Sequence, residues 1–385
     1  MGAAGGDDRL ATIYHGSMPR VPVFIWVVVL AMTGLWVGLS TLLIPMARQH
    51  AFLNLYTGGA LALDGRFADL HDPDVQLERE RRYVPRVDAL VPFVRPAFYA
   101  LLLAPLALLP YNTAFVVWIA LQCCLLIGCW VWGARRFGPN ALVFASFFLP
   151  PPLGIASGQD CVVLLALFIL AYELHERNRP GWSGAVLAAM LIKFHLVLLW
   201  PLALLLQRRW RMLGGFCAMA GAEAAVSLAL GGVRGAQTYV ALLRNKSLEH
   251  LSPSPELMIS YQGLAANLGI TSFWAPAVMV AAVLAIFALA VFKAPLWRMF
   301  CLSALASLLI VPHVYGYDAS LLLLPVWLAI FESVRPASRI AATLFSTPIP
   351  FGFALAGKPY AIVASASMLV VFLIFASEKP QDSKL

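Results

Sequence analysis

The sequence predicts an all-α, polytopic helical membrane protein, and three observations predict it. Of its 385 residues, 61% are hydrophobic and only 12% are charged, about half the charged share of an average soluble domain. The charges are also widely spaced, with no Asp, Glu, Lys or Arg in residues 21–47 or in residues 96–134. A helix needs about 20 apolar residues to cross the hydrocarbon, so the first run makes one span and the second has the length for two. Finally, the basic residues gather in short turns between apolar runs, the pattern that retains loops on the cytoplasmic side. The net charge of +8 is therefore topogenic, and neither a water-soluble enzyme nor a nucleic-acid-binding protein fits.

Residues 1–22, with Arg9 and Arg20, form a cytoplasmic N-terminus. The run that follows is too long for a signal-peptide core and has no small-x-small cleavage site, so it stays as an anchor. Residues 46–95 form a first extracytoplasmic loop that holds several of the 19 acidic residues, balanced by arginines. Within it, Asp72-Pro73-Asp74 followed by Val75, Leu77 and Glu78 to Arg82 predicts an N-capped amphipathic helix lying at the interface. An ordered loop of this length is usually functional.

The run from Pro96 to Ala134 turns at Leu109-Pro110-Tyr111-Asn112, yet the charge rule asks for an odd number of crossings before Arg135-Arg136. Gly181 to Ile192 and Phe194 to Leu206 are each too short to span. They are expected as two short helices meeting at Lys193 and His195 beneath a cavity. Arg177-Asn178-Arg179 and Arg208-Arg209-Trp210-Arg211 are inner turns. Residues 233–256 form a second extracytoplasmic loop, with the weak sequon Asn245-Lys246-Ser247 and the solvated cations Arg244 and Lys246. Further apolar runs lead to a cytoplasmic tail at 378–385, with Lys379 and Lys384. About 12 membrane segments are expected in an integral domain of residues 23–377. Cys123, Cys124, Cys129, Cys161, Cys217 and Cys301 all lie in apolar stretches without framework spacing and read as packing residues.

A charge at membrane depth costs about 2.5–3.5 kcal/mol on insertion scales, so Asp160, Lys193, His195, Glu223, His313 and Asp318 each need a reason. Ordinary reasons exist. Asp160 can be a helix N-terminal charge, Lys193 can snorkel, His195 can face away from Lys193 as a structural histidine, and Glu223 can pair with a neighbour. The aromatics of residues 311–318 fit an interfacial belt. Yet Asp160, the Lys193–His195 turn and the His313–Asp318 turn all reach the outer end of their helices, which describes a polar cavity open to the outside. A carboxylate there can act as a general base on a hydroxyl, while Lys, Arg or His holds a departing phosphate. No Gly-rich phosphate loop, Walker motif or zinc spacing is present, so a cytosolic nucleotide is not expected as direct substrate and no metal site is implied, a weakly held divalent cation staying open.

At these residues the chain resembles glycosyltransferase family 87, the polyprenyl-phosphate-mannose-dependent α-mannosyltransferase type with the GT-C membrane fold. The matching stretches are Phe52 to Gly59 with Asp64-Gly65 and Leu70-His71-Asp72-Pro73; Arg95-Pro96 with Ala104 to Pro110 and Trp118; Gly158-Gln159; Ala185 to Lys193; Arg208 to Arg211; Gln262; and Pro312 to Asp318. The resemblance implies an inverting transfer on the extracytoplasmic face, in which a polyprenyl-phosphate hexose enters from the bilayer. It implies no tightly bound cofactor, and a glycolipid, glycan or protein acceptor.

The implied location is a bacterial cytoplasmic membrane, with both termini inside. In GT-C enzymes the base is typically an acid at the start of the first outward loop, but that position reads Ala51-Phe52 here. The base is therefore open between Asp64, Asp69, Asp72, Asp160 and Asp318. Lys193, Arg95 and His195 are candidates for the donor phosphate, and Gln159, His313, Tyr317 and Gln262 for sugar or acceptor. A lipid-linked-sugar transporter is the rival, although it should show repeat symmetry and midplane charges. A catalytically altered member of the fold is the third reading, and Ala51 sustains it.

Overall fold

Charge-free stretches of the sequence become helices, and the prolines within them decide which helices stay long enough to span. The computed structural model describes residues 21–49, 51–85, 87, 90–244, 255–272 and 274–378. Among these there is no strand, only one isolated bridge between Met258 and Tyr315. The helices are, in order, α1 (Val23–Gln49), α2 (Ala51–Leu63), α3 (Pro73–Tyr83), α4 (Ala97–Leu103), α5 (Tyr111–Phe137), α6 (Asn140–Phe147), α7 (Pro150–Ala156), α8 (Cys161–Glu176) and α9 (Pro180–Ala189). They continue as α10 (Trp200–Leu206), α11 (Trp210–Arg244), α12 (Tyr261–Asn267), α13 (Trp274–Val291), α14 (Leu296–Ile310), α15 (Leu323–Glu332), α16 (Pro336–Phe345), α17 (Ile349–Leu355) and α18 (Ile362–Ala376). Short 3-10 segments run over Phe67–Asp69, Ala104–Leu108, Met190–Val197 and Gly316–Leu322.

Five helical stretches are long and apolar enough to cross a membrane: Val23–Leu43, Tyr111–Phe137, Pro180–Val197, Trp210–Arg244 and Trp274–Val291. The chain is a multi-pass membrane protein. Several of the apolar runs behind the expected total of about 12 segments are broken. Residues 137–159 become α6 and α7, split at Pro150-Pro151-Pro152, and residues 340–357 are divided between α16 and α17 near Pro348 and Pro350. Proline removes a helical N–H and clashes with the preceding turn, which accounts for both breaks. The long run from Pro96 resolves the same way. It holds α4 with its 3-10 extension, at most 12 residues and too short to cross at about 1.5 Å per residue, followed by one full crossing in α5. Gly59 on α2 is what lets this short segment sit close, since a Cβ there would come 2.6 Å from the Leu103 carbonyl oxygen.

The centre of the molecule is α14 and α15, whose residues 298–309 and 323–330 are all buried. Phe168 of α8, Trp200 of α10 and Phe300 of α14 form an aromatic knot there, with centroids 4.7–5.7 Å apart. Cys129, Cys161 and Cys301 are buried with this core, whereas Cys123, Cys124 and Cys217 are exposed; all six are free. A basic turn between helices also carries ion pairs: Arg136 meets Glu332 at 2.9 Å and Glu176 at 3.5 Å. The buried Glu378 accepts hydrogen bonds from Ser333 (2.8 Å) and Ser338 (2.7 Å). The cations expected to hold the termini inside, Arg9, Arg20, Lys379 and Lys384, lie outside the described residues, as does the sequon at Asn245.

Residues 46–95 contain the helix expected there. Asp72 caps α3 by accepting from the amides of Asp74 (3.0 Å) and Val75 (3.2 Å). The residues α3 buries in the protein are polar, Gln76 and Glu80, while Val75 and Leu77 are only half-buried. Its inner face is polar because it faces irregular backbone.

Candidate functional site

Four charged side chains from four distant stretches meet in one buried cluster. Arg95, just ahead of α4, grips Asp160 with two bonds, Nε to Oδ2 at 3.1 Å and Nη2 to Oδ1 at 3.2 Å. Lys193 Nζ lies 3.1 Å from Asp160 Oδ1 and 2.8 Å from Asp318 Oδ1. The exposures of Arg95, Asp160, Lys193 and Asp318 are 8%, 0%, 3% and 3%. Two cations face two carboxylates, so the cluster is neutral as a whole, which is the condition under which buried charges survive.

Local backbone aims each member. Lys193 sits at φ −124°, ψ 69°, a non-helical residue inside the 3-10 stretch that follows α9. The predicted break between two short helices is therefore real and falls on Lys193 itself. Asp160 follows a turn at Gly158, whose φ of +71° suits glycine. That turn is pinned from α5, where Trp118 Nε1 donates to the Gly158 carbonyl (3.1 Å) and Gln122, one helical turn on, donates to the Gln159 carbonyl. Asp318 Oδ2 accepts from the Tyr315 amide at 3.0 Å, fixing the carboxylate at the start of its own 3-10 turn.

Around the cluster lie the other predicted residues. Gln159 Oε1 accepts from Lys193 Nζ at 3.3 Å, and the Tyr317 ring centroid is 5.3 Å from Nζ, a cation–π distance. Gln159, His195, Tyr317 and Gln262 are half-buried and His313 is exposed. Gln262 on α12 comes to this end because the preceding residues pair with the His313–Tyr315 segment: the Ile259 amide donates to the Val314 carbonyl at 2.9 Å, and Ser260 Oγ to the Pro312 carbonyl at 3.3 Å.

The remaining carboxylates are occupied elsewhere. Asp64 pairs with Arg79, Asp69 with Arg66 (3.2 Å) and Arg234 (2.8 Å), and Asp72 caps α3. Ala51 opens α2, and its neighbour Phe52 packs on Tyr111 and Phe115 with centroids 5.5 and 5.3 Å away.

Several sequence readings change. Asp160 is the N-cap residue of α8, yet its side chain makes no cap bond and is held by Arg95 and Lys193 instead, and Lys193 is buried between two carboxylates and does not snorkel. His195 does not share a regular helix with Lys193; it lies within electrostatic reach of Asp318, Lys193 and His313. Among the described residues neither carboxyl oxygen of the buried Glu223 meets a hydrogen-bond partner. The charges expected to line a polar cavity contact one another as ion pairs. The sequence reading also missed Tyr99, buried beside Asp160.

Two further ionisable groups of the segment 64–95 are buried. His71 Nε2 donates to the Arg95 carbonyl at 2.8 Å, and Glu80 Oε2 accepts from the Val91 amide at 3.1 Å. Burial pushes the imidazole down to about 4 and the Glu80 carboxyl up to about 7. From the ordinary 4.5 up to about 7, folded Glu80 holds a proton that the unfolded chain has released. Stability therefore falls as pH rises through that window and levels off above it. Glu80→Gln has no such proton to lose, so the melting temperature of the wild type should drop relative to Glu80→Gln between pH 4.5 and about 7. A gap independent of pH would show that Glu80 ionises as it does in water.

The family model described as glycosyltransferase family 87 matches residues 93–312, more than half of the chain. The matched region takes in Arg95, Asp160 and Lys193 and ends shortly before Asp318. No curated protein and no solved structure matches.

Proposed function

The chain belongs to glycosyltransferase family 87, and from that premise we propose that this membrane glycosyltransferase moves a hexose, mannose in our reading, from a polyprenyl phosphate to an acceptor hydroxyl on the extracytoplasmic face. The observation that carries the reading is Lys193, one ammonium shared by two buried carboxylates, at a site rimmed by Gln159, His195, Tyr317 and His313.

A lipid-borne phosphate is anionic and competes with those carboxylates for Lys193 and Arg95. As Lys193 turns to the phosphate, Asp318 loses its cation and becomes more basic. It then takes the proton of the acceptor hydroxyl. The hydroxyl oxygen bonds to the anomeric carbon with inversion, the bond from that carbon to the phosphate oxygen breaks, and polyprenyl phosphate leaves with the electron pair, its charge met by Lys193 and Arg95. Asp160, held by two bonds from Arg95, remains a counter-ion. His195 adds a donor near the phosphate, while Gln159, Gln262, His313 and Tyr317 hold sugar and acceptor hydroxyls. The acceptor is a glycolipid, glycan or protein, and the site works in a bacterial cytoplasmic membrane without a tightly bound cofactor.

The test is purified full-length chain in nanodiscs with radiolabelled polyprenyl-phosphate mannose and a membrane-glycan acceptor extract. Asp318→Asn is expected to lower kcat about 10²–10⁴-fold, the usual contribution of a general base. Asp64→Asn, whose carboxylate pairs with Arg79 in the outer loop, should retain near-wild-type turnover. Translocation of the intact lipid without sugar transfer would overturn the enzyme reading in favour of a transporter. Full activity of Asp318→Asn would move the base to another carboxylate.

A further inference from the structure

We propose that residues 91–98 form a strap held by side chains, and that His71, Gln76 and Tyr239 are positioning residues that place Arg95 for transfer. Residues 91–96 belong to no helix or strand, so their buried backbone groups must find partners elsewhere. Side chains from α3, α11 and the turn before α3 supply them. The Val91 amide donates to Glu80, and the Phe93 amide to Gln76 Oε1 at 2.8 Å. Gln76 Nε2 donates to the carbonyls of Leu70 (2.8 Å) and Phe93 (3.4 Å). Tyr239 donates to the Val94 carbonyl at 3.4 Å, His71 to the Arg95 carbonyl at 2.8 Å, and the Phe98 amide donates to Ser227 at 3.2 Å.

The rings add a second set of contacts. His71 lies 4.4 Å from Tyr239 and 6.3 Å from Phe93, and Phe93 fits against α2 only because residue 58 is glycine, where a Cβ would come 2.5 Å from the ring. Gln76, Glu80 and Phe93 are fully buried and His71 is 2% exposed. Burying a glutamine and a glutamate is costly unless they are bonded, and here both serve one short stretch of backbone. That stretch ends on the residue with two bonds to Asp160. Guanidinium geometry has to be held to about 0.5 Å for such a site to work, and a flexible loop would not do it.

The inference rests on Arg95 serving the donor phosphate, so its test has one arm that depends on that role and one that does not. In transfer assays on the full-length chain, Gln76→Ala is expected to raise the donor KM about tenfold, within the range that small misplacements produce, with the acceptor KM unchanged. In an Arg95→Lys background the same substitution should add less than about twofold, because the residue it positions is already altered. Equal losses in both backgrounds, or a fall in kcat together with both KM values, would overturn the proposal. Independently of any substrate, thermal unfolding of Gln76→Ala, Arg95→Lys and the double variant should be non-additive, the double variant melting close to the weaker single one. Strictly additive shifts would overturn it too. Absence of transfer by the wild type would count against the donor assignment alone, with the melting comparison still deciding the strap.

Discussion

Lys193→Ala should abolish transfer and destabilise the fold, and adding Asp318→Asn should restore the fold without restoring transfer. Lys193 Nζ contacts Asp160, Asp318 and Gln159 at 2.8–3.3 Å while 3% exposed. Without it, two buried carboxylates share one guanidinium, and breaking a buried pair by removing one partner costs about 3–5 kcal/mol. Against a typical native stability of about 5–15 kcal/mol, that is a large fraction. Asp318→Asn removes the surplus negative charge and keeps the shape, leaving Arg95 balanced by Asp160. The melting temperature of the double variant should therefore recover most of what Lys193→Ala loses. Transfer should stay at least about 10³-fold down, because a donor-phosphate ligand and the proposed base are both gone. A Lys193→Ala protein that melts like wild type would mean the two carboxylates do not need the ammonium. A double variant no more stable than Lys193→Ala would put the loss in packing and not in charge.

The outline of this site was legible in the sequence because of one energetic rule. Charges are rare at membrane depth, so Asp160, Lys193 and Asp318 stood out before any contact was known. The cap at Asp72 and the break at Lys193 were legible for equally local reasons, a side chain that mimics a backbone acceptor and two arms too short to span. What could not be read was the pairing. Whether a carboxylate lines a cavity or meets an ammonium depends on distances between helices, which no periodicity encodes. The strap was hidden more deeply, because Gln76 and Glu80 lie on a helix full of charge and read as its solvated side. A polar face buried against irregular backbone leaves no hydrophobic pattern to detect. The span arithmetic failed at the prolines for a related reason: run length measures apolarity, whereas Pro150 to Pro152 cut the helix without changing it.

Gly184→Ala is the second substitution expected to have a large effect, and it acts far from any charge. Helices α9 and α11 touch backbone to backbone: a Cβ on Gly184 would lie 1.8 Å from the Met212 carbonyl oxygen, and one on Gly215 would lie 1.9 Å from the Gly181 carbonyl oxygen. Small residues commonly permit such approach between membrane helices. No rotamer can relieve the clash, since the obstacle is main chain, so the helices must separate and lose the packing around the contact. Overpacking of this kind costs about 1–3 kcal/mol and sometimes more. Gly214 is the control, because a Cβ there meets nothing within 4 Å. Gly214→Ala should be neutral or stabilising by up to about 1 kcal/mol, since alanine is the better helix former. The consequence for activity follows from what the two helices carry. α9 runs directly into the 3-10 stretch that presents Lys193, and α11 carries Ser227 to the strap that holds Arg95, with Tyr239 reaching the same strap from beyond the break in α11 at Gly232. Separating them pulls on both cations that grip Asp160, so transfer by Gly184→Ala should fall further than its melting temperature alone would require. Equal melting temperatures for Gly184→Ala and Gly214→Ala would show that the crossing is looser than these distances make it.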